Sequence, residues 1–316
     1  MKTYRSLGEL PLGGNRRALA IGSFDGVHVG HRAVITTAKN LAVEHGLSCM
    51  VVTFQPHPIA VLRPDLKVLA LTTLEHKQEL CEGLDVDELL ILPFTKAFAR
   101  IRADRFVDML VSPPITAEIV VVGDNLRFGA GGQGTTDMMR SYGRNRGLRV
   151  VTPEMVDTPD GKPVSSTRAR RMVAEGRMAD VRTMLTRPHA VEGVVVHGDQ
   201  RGRALGLPTA NLEVPDDMAV PGRGVYAGRA RVGGRWYPAA VNVGFAPTFR
   251  DGNERGTVRI EAFLLDYDGD EIYGDTVRLE FLEHLRDERK FDGPDELVAQ
   301  IHRDVEDTRR IAAAEG

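Results

Sequence analysis

The chain has 316 residues, of which 42% are hydrophobic and 27% are charged, and its formal net charge is −3. A chain of this length usually forms about two domains, and this composition is ordinary for globular cores. The near-neutral charge provides no bulk attraction to nucleic acid or to an anionic membrane, so a bound anion must be held by a local site. No apolar run has the length of a signal peptide or of a membrane span, and we expect neither.

The two cysteines, Cys49 and Cys81, are expected to be reduced core residues of a cytoplasmic protein. Neither has a second thiolate nearby with which to build a zinc site. We therefore expect small molecules as partners, with no nucleic acid and no membrane, and leave open whether the protein is a homo-oligomer.

The first half alternates short apolar runs with stretches of helical periodicity. The apolar runs predict strands over 18–22, 48–54, 89–94, 117–123 and 148–151. After the first run, Val34, Ala38 and Leu41 recur at helical spacing, and Gly46 fits the end of that helix. Continuous apolar strands separated by helices indicate an α/β fold with a doubly wound parallel sheet, which binds ligands at the carboxyl ends of its strands.

Two histidines three residues apart, His28 and His31, follow the first predicted strand in the stretch AIGSFDGVHVGHRAVI, residues 20–35. A metal site needs a third ligand, and neither a His-x-x-x-His helix nor a cysteine pair supplies one. For a nucleophile held by a base, the turn offers only Ser23. Both histidines could also simply fill a polar turn.

The reading that uses what is present is a phosphate-binding turn. Gly22, Gly26 and Gly30 allow the backbone to approach a ligand closely, and the helix that begins near His31 presents free N–H groups. Two imidazoles above that helix end can donate hydrogen bonds to a phosphate as charge builds on it during group transfer. We favour this reading.

The second half contains strands without long helices between them. They are predicted over 190–198, 224–232, 235–244, 258–266 and 276–282. Gly233 and Gly234 form a two-residue hairpin turn, and the pattern is that of an antiparallel barrel or sandwich. One helix closes the chain, with Pro294 in its first turn. We place the domain boundary between 186 and 187, which gives domains 1–186 and 187–316.

Three further segments of the first half are rich in groups that hold anions or shape loops. They are TFQPHP (53–58), VGDNLRFG (122–129) and VSSTRAR (164–170). In the last, the hydroxyl residues can cap a helix, and Arg168 offers a planar fork for phosphate oxygens. The run GAGGQG (129–134) matches a dinucleotide fingerprint formally, but it does not directly follow the first strand, so we interpret it as a loop.

The second half has one stretch of comparable interest, VHGDQRGRALGLPTANLEV (196–214). Its glycines suit a loop over phosphates, and Thr209 and Asn211 lie on the same side of an extended chain. A hydroxyl and an amide oxygen are hard ligands suited to Mg²⁺. Glu261, on the polar face of the strand 258–266, is either a solvated residue or a carboxylate that meets a substrate hydroxyl.

GSFDGVHVGH (22–31) resembles the turn of nucleotidylyltransferases. Together with the three segments above, in this order and spacing, it is similar to the bifunctional bacterial riboflavin kinase/FAD synthetases, and the resemblance extends through the second half. It implies an N-terminal nucleotidylyltransferase domain that adenylylates FMN to FAD, and a C-terminal antiparallel β-barrel riboflavin kinase domain with a terminal helix that makes FMN from riboflavin.

The resemblance also implies roles for individual residues of the first half. His28 and His31 are catalytic. For His57, which lies between Pro56 and Pro58, two interpretations stay open: it lines the flavin side, or it is a structural turn residue. The expected nucleotide contacts are Gly22, Phe24, Asp25, Gly26, Asn125, Ser166, Thr167 and Arg168.

For the second half, the resemblance implies a kinase site that uses Mg²⁺ and ATP. Glu261 is the catalytic carboxylate. Arg286 contacts the flavin or ADP, or else it forms a surface ion pair with a neighbouring glutamate. Thr209 and Asn211 contact the metal, and the expected nucleotide contacts are Gly198, Arg201 and Gly206. Three alternatives remain: a riboflavin kinase with a silent first domain, an adenylyltransferase for another cofactor precursor, and a flavin or nucleotide sensor without turnover.

Overall fold

The structure is a computed structural model that describes residues 1–154, 156–158, 160–198, 209–246 and 257–315. The chain divides into two compact units, one made of Met1–Val68 and Leu74–Ser165, the other of Leu69–Thr73 and Ser166–Gly316. The second unit thus begins before the boundary proposed at 186/187 and also takes a short segment from the first half. Within the described ranges, no helix is both long enough and apolar enough to span a bilayer.

The first unit contains the predicted parallel sheet. Its strands are β1 (Lys2–Tyr4), β2 (Arg17–Ile21), β3 (Ser48–Gln55), β4 (Glu88–Pro93), β5 (Ala117–Val121) and β6 (Arg149–Val151). They lie in the order β1-β4-β3-β2-β5-β6, and every neighbouring pair is parallel. The five predicted strands are confirmed. β1 is a three-residue edge strand without an apolar run and was not predicted.

Helices cover both faces of this sheet. They are α1 (Val29–His45), α2 (Pro58–Leu62), α3 (Leu74–Glu82), α4 (Ala103–Val111) and α5 (Thr136–Arg144). Alternate residues of β2 enter different cores: Leu19 and Ile21 belong to one buried cluster, and Ala18 and Ala20 to the other. The strand reads as a continuous apolar run because both of its faces are buried.

A buried ion pair lies at the amino-terminal edge of the sheet. Arg17 is 0% exposed and donates from Nε and Nη2 to the two carboxylate oxygens of Glu88, at 2.5 and 3.1 Å. Its Nη1 donates to the carbonyl oxygens of Pro114 and Ile115, both at 2.8 Å. The guanidinium therefore links β2 and β4 to the turn before β5.

The second unit opens with α6 (Ser166–Ala174) and α7 (Met178–Leu185). A closed barrel follows, made of β7 (His189–Val196), β8 (Ala210–Glu213), β9 (Gly224–Val232), β10 (Arg235–Ala246), β11 (Thr257–Leu264) and β12 (Thr276–Arg286), with the terminal helix α8 (Pro294–Ala313). The strand order is β10-β11-β8-β7-β12-β9, antiparallel throughout, which confirms the barrel. The segment Leu69–Thr73 joins this unit through Ala70, which pairs with Met218.

The local signals of the second half are also confirmed. Gly233 and Gly234, with φ of 54° and 85°, connect β9 to β10, as a two-residue hairpin requires. Pro294 lies in the first turn of α8. The apolar side of β11 is buried, with Ile260 1% exposed and Ala262 0% exposed.

Candidate active sites

The first candidate site is the tight turn that connects β2 to α1 at the carboxyl edge of the sheet. The chain order in the sheet reverses between β2 and β5, which makes this the crevice where open α/β sheets bind their ligands. Phe24, Gly26 and Val27 have positive φ, at 47°, 82° and 40°. Such a conformation costs about 1–3 kcal/mol at each non-glycine residue, so surrounding groups must hold the turn in place.

The two histidines meet at the first turn of α1. His28 is the N-cap, and its Nδ1 accepts a hydrogen bond from the backbone N–H of His31 at 3.2 Å. The two rings stack with centroids 3.5 Å apart and planes 15° apart, and Phe24 meets the ring of His31 edge-on at 5.3 Å. Because Nδ1 of His28 accepts, the neutral ring carries its proton on Nε2. The imidazoles thus stack at the positive end of a 17-residue helix.

Two buried donors lie beneath this turn, and neither was predicted from the sequence as a site residue. Lys77 donates from Nζ to the carbonyl oxygen of Ser23 at 2.8 Å, and Thr53 donates from its hydroxyl to the same oxygen at 3.0 Å. Lys77 is 6% exposed and Asp25 is 3% exposed. Burial lowers the pKa of Lys77, and the charge of Asp25 acts in the opposite direction.

One sequence signal could have pointed to Lys77. It lies four residues before Cys81 on α3, and both side chains are buried. Its position is therefore on the apolar stripe of a helix, where a solvated lysine does not belong.

The other residues predicted for the first half lie on loops of the same sheet edge. Gly22 directly follows β2, and the ring of Phe24 would be 3.1 Å from a Cβ at this position. His57 follows β3 and caps α2, where its Nδ1 accepts from the N–H of Ile59 at 3.3 Å. Asn125 lies exposed in the turn after β5. The carboxyl ends of three adjacent strands therefore bring these residues to one edge.

The segment VSSTRAR opens a helix, as the sequence predicts. Ser166 is the first residue of α6, followed by Thr167 and Arg168. This helix belongs to the second compact unit, whereas the histidine turn belongs to the first. The run 129–134 is a loop with a short 3₁₀ turn, consistent with its interpretation as a loop that only formally matches the dinucleotide fingerprint.

The second candidate site lies on the outer face of the barrel. Glu261 on β11 is directly opposite Asn211 on β8 and Asn242 on β10. Directly opposed residues of antiparallel strands point to the same face, so the three side chains form a polar row. Across β10 and β9 the row continues to Val225 and then to Arg286. Asn242 did not stand out in the sequence, because only the strand register reveals its position.

A cavity of about 590 Å³ lies over this row and beneath α8. Its lining includes Thr209, Val225, Ala240, Asn242, Glu261, Phe263, Arg286, Phe291, Leu297, Ile301 and Asp304. Of the two readings of Glu261, the structure favours the one in which its face of the strand lines a cavity. Alternate positions of β11 supply Glu261 and Phe263 to this lining.

Arg286 is held at the wall of this cavity by a carboxylate of α8. Its Nη2 donates to Oδ2 of Asp304 at 2.7 Å, and the carboxylate also accepts from the amide of Gln300 at 2.8 Å. Asp304 is 5% exposed. The competing reading of Arg286, a surface pair with a neighbouring glutamate, does not describe this geometry, because the partner is a buried aspartate.

A second cavity, of about 350 Å³, adjoins the first. Thr209 lines both cavities, and Asn211 and Gly198 line the second together with Tyr267 and Tyr273. A Cβ at Gly198 would overlap the amide group of Asn211, so any other residue here would force that side chain to move. Arg201 and Gly206 lie outside the described residues.

Comparisons with known proteins give one family match for each half of the chain. A family model described as FAD synthetase matches residues 14–168, and one described as riboflavin kinase matches residues 185–312. A Listeria monocytogenes protein named bifunctional riboflavin kinase/FMN adenylyltransferase is 37% identical over 298 residues, which cover 94% of this chain and 93% of that protein. The chain belongs to this family.

Other relatives match along their whole length. The Bacillus subtilis protein of the same name is 35% identical, with 93% of this chain and 92% of that protein covered. A solved structure described as a macrolide-efflux protein from Streptococcus pneumoniae is 30% identical, with a TM-score of 0.85 over 97% of this chain and 98% of that one. The full-length fold is therefore shared with a solved structure.

The two family models separate the two candidate sites. The histidine turn, His57, Asn125 and the first turn of α6 fall within the FAD synthetase match, whereas Glu261 and the cavity residues fall within the riboflavin kinase match. Residues 169–184 belong to neither, and the boundary at 186/187 stays a prediction.

Proposed function

We propose that this chain converts riboflavin to FAD in two steps at two separate sites. The barrel transfers the γ-phosphoryl group of ATP to the ribityl 5′-hydroxyl and releases FMN and ADP. The parallel-sheet unit then joins AMP from a second ATP to the FMN phosphate and releases pyrophosphate. The observation that carries this assignment is that the histidine turn lies in one compact unit and a cavity with a carboxylate lies in the other.

In the kinase step, Glu261 accepts or orients the proton of the substrate hydroxyl. The hydroxyl oxygen forms a bond to the γ-phosphorus as the bond from that phosphorus to the β–γ bridging oxygen breaks, and ADP leaves. A cavity of about 590 Å³ has the size of a small-molecule site, and Phe263 and Phe291 give it apolar walls for an aromatic ring system. The smaller cavity takes the nucleotide, and Thr209, which lines both, marks where phosphoryl donor and acceptor meet.

The donor set at this junction fits Mg²⁺. Thr209 and Asn211 supply a hydroxyl and an amide oxygen, which are the hard ligands that this ion prefers beside phosphates. Mg²⁺, when bound, neutralises charge on the phosphate oxygens. Gly198 allows a close approach to the Asn211 amide. Arg201 and Gly206 lie outside the described residues, and their assignment to the nucleotide rests on the sequence alone. Arg286, oriented by Asp304, contacts the flavin or ADP.

In the adenylylation step, an oxygen of the FMN phosphate attacks the α-phosphorus of ATP, and the bond to pyrophosphate breaks. Attack is direct, without a covalent enzyme intermediate. His28 and His31 donate hydrogen bonds to the phosphate oxygens as charge builds in the transition state, at the positive end of α1. The capping bond supports this role, because it holds one ring nitrogen of His28 as an acceptor and leaves the proton on the other.

The remaining residues of this site bind substrates. Gly22, Phe24, Asp25 and Gly26 form the turn against the nucleotide, and Asn125 contacts the nucleotide or the flavin phosphate from the neighbouring strand. His57, on the flavin side, follows the next strand in the sheet. Ser166, Thr167 and Arg168 hold the triphosphate tail at the amino end of α6.

We place these reactions in the cytoplasm, with small molecules as the partners. This is supported by the two cysteines, which are free thiols buried in one core cluster of the first unit.

Incubation with riboflavin, ATP and Mg²⁺, followed by chromatography of the flavins, tests the assignment. FMN and FAD are expected in sequence. FMN alone would indicate a single-activity kinase, no flavin product would indicate another adenylyltransferase, and binding without turnover would indicate a sensor.

A pair of variants tests the division between the sites. His28→Ala or His31→Ala is expected to abolish FAD formation and spare FMN formation, and Glu261→Ala to do the reverse when FMN is supplied. A mixture of His28→Ala and Glu261→Ala chains should then make FAD from riboflavin, since each chain supplies the step that the other lacks. Equal loss of both steps in either single variant would refute the division.

A further inference from the structure

The turn that carries the two histidines is held from below at a single backbone atom. The carbonyl oxygen of Ser23 accepts hydrogen bonds from Lys77 on α3 at 2.8 Å and from Thr53 on β3 at 3.0 Å. A carbonyl has two lone pairs, and both are engaged here. This atom lies one residue before Phe24, the first residue of the turn with positive φ.

Fixing that oxygen fixes the direction of the next N–H group. The peptide bond between Ser23 and Phe24 is trans, so its C=O and N–H point in opposite directions. Because the carbonyl faces Lys77 and Thr53, the N–H of Phe24 faces away from them. A backbone N–H presented by a turn is the kind of donor that binds phosphate.

Phe24 connects the Ser23 peptide to the two histidines. The carbonyl oxygen of Phe24 accepts from the N–H of Val27 at 3.2 Å, and its ring meets the ring of His31 at 5.3 Å. His31 stacks in turn on His28. A shift of the Ser23 peptide would therefore move the N–H group and the imidazole stack together.

The buried position of Lys77 is energetically unfavourable for a lysine. Its side chain is nearly fully buried, and an ammonium group removed from water costs free energy unless it is paired and hydrogen-bonded. Asp25, also nearly fully buried, supplies the compensating charge. The hydrogen bond from Lys77 holds the strained turn at Ser23 and places a cation beneath a site for an anionic substrate.

We propose that Lys77 is a positioning residue of the adenylylation site, which fixes the Ser23 peptide so that the Phe24 N–H and the two imidazoles meet the phosphates of ATP. This inference rests on the proposed function. It differs from a purely structural role because it predicts a loss of turnover in folded protein.

The test compares Lys77→Met and Thr53→Val with the parent chain, well below the unfolding temperature. Lys77→Met should lower kcat of FAD formation from FMN by about 100-fold, the factor associated with a misplacement of about 1 Å, while the KM for FMN stays within about threefold. Thr53→Val removes the neutral donor to the same oxygen and should lower kcat about fivefold, the factor of one neutral hydrogen bond. FMN formation by the barrel of the same chain should be unchanged in both variants.

Lys39→Met is the matched control. Lys39 is also a lysine of the first unit, but its Nζ pairs with Asp87, which precedes β4 at the opposite edge of the sheet, at 3.1 Å. Its kcat for both steps should equal that of the parent. This control separates loss of a lysine in general from loss of the contact to Ser23.

Three results would overturn the proposal. The first is a Lys77→Met variant that keeps kcat of FAD formation within threefold of the parent. The second is a parallel loss of FMN formation in that variant, which would indicate global damage. If Lys77→Met does not fold, Thr53→Val decides, and unchanged kcat in that variant is the third. Failure of the proposed function itself is distinct, because the parent would then form no FAD or His28→Ala would retain it.

Discussion

In the proposed function His28 has two tasks, and one substitution separates them. As the N-cap of α1 it accepts the N–H of His31 at 3.2 Å, and in the proposed adenylylation step its imidazole donates an N–H to the transition state. Asparagine is among the best N-cap residues, because its side-chain oxygen accepts the same backbone N–H. His28→Asn therefore keeps the cap and removes the imidazole, whereas His28→Ala removes both.

The magnitudes follow from these two contacts. Loss of the cap in His28→Ala should lower the free energy of unfolding by about 1 kcal/mol, and His28→Asn should leave it nearly unchanged. Loss of one preorganised donor to a developing charge costs about 2.7–4 kcal/mol of transition-state stabilisation. Both variants should therefore show kcat for FAD formation reduced by about 100- to 1,000-fold.

The assay measures FAD formed from supplied FMN and ATP, with FMN formation from riboflavin as the internal control and urea unfolding as the measure of stability. A His28→Asn variant that is as stable as the parent and retains kcat within tenfold would refute the reasoning. His28 would then be a helix cap and nothing more.

Three other predictions follow from single side chains. Glu261→Gln should reduce FMN formation by about 100- to 10,000-fold, because the amide cannot accept the hydroxyl proton, while supplied FMN still becomes FAD; flavin chromatography separates these results. Arg17→Met leaves Glu88 buried without its ion-pair partner and should lower the free energy of unfolding in urea by about 3–5 kcal/mol, and a change below about 1 kcal/mol would contradict this. Burial raises the pKa of Cys49 to about 12 and that of Cys81 to about 11, so both thiols stay protonated at pH 8. Both should therefore react with a thiol reagent only after the protein unfolds. Labelling of the native protein at the rate of the unfolded protein would contradict this.

The strands of the first unit could be read from the sequence because both faces of the sheet are buried. Residues 18–21 of β2 form a continuous apolar run because every one of these positions faces a core. Such a run can be recognised in the sequence without knowing which strands pair with it. The short strands were harder. β1 has exposed residues and forms only because β4 offers its edge, and Ala210–Glu213 is recognised as a strand only through its pairing with β7 and β11.

The histidine turn could be predicted for a different reason. His28, His31 and the glycines lie within ten residues of sequence, so their proximity is guaranteed by the chain itself. Lys77 is distant in sequence from Ser23, and no local sequence pattern indicates that its ammonium group donates to the Ser23 carbonyl. Asp304 and Arg286 are a second case, because their pairing depends on how α8 lies on the barrel.

The kinase cavity exists because polar residues interrupt an otherwise apolar interface. α8 turns Leu297 and Ile301 toward a barrel face that carries Val225 and Phe263, and side chains of this kind would close together if nothing else lay between them. Glu261 also lies on that face, flanked by two asparagines at directly opposed positions. If α8 closed onto this row, a carboxylate and two amides would lose their contact with water. The free energy of desolvation would then exceed the free energy gained from the apolar contact, unless each polar group found a hydrogen-bond partner. Arg286 and Asp304 satisfy each other at the rim and do not satisfy the row. The cavity is thus kept open by the same carboxylate to which we assign the substrate proton in the proposed kinase step. A ligand with apolar rings that offers a hydroxyl to Glu261 is the kind of molecule that fills this cavity.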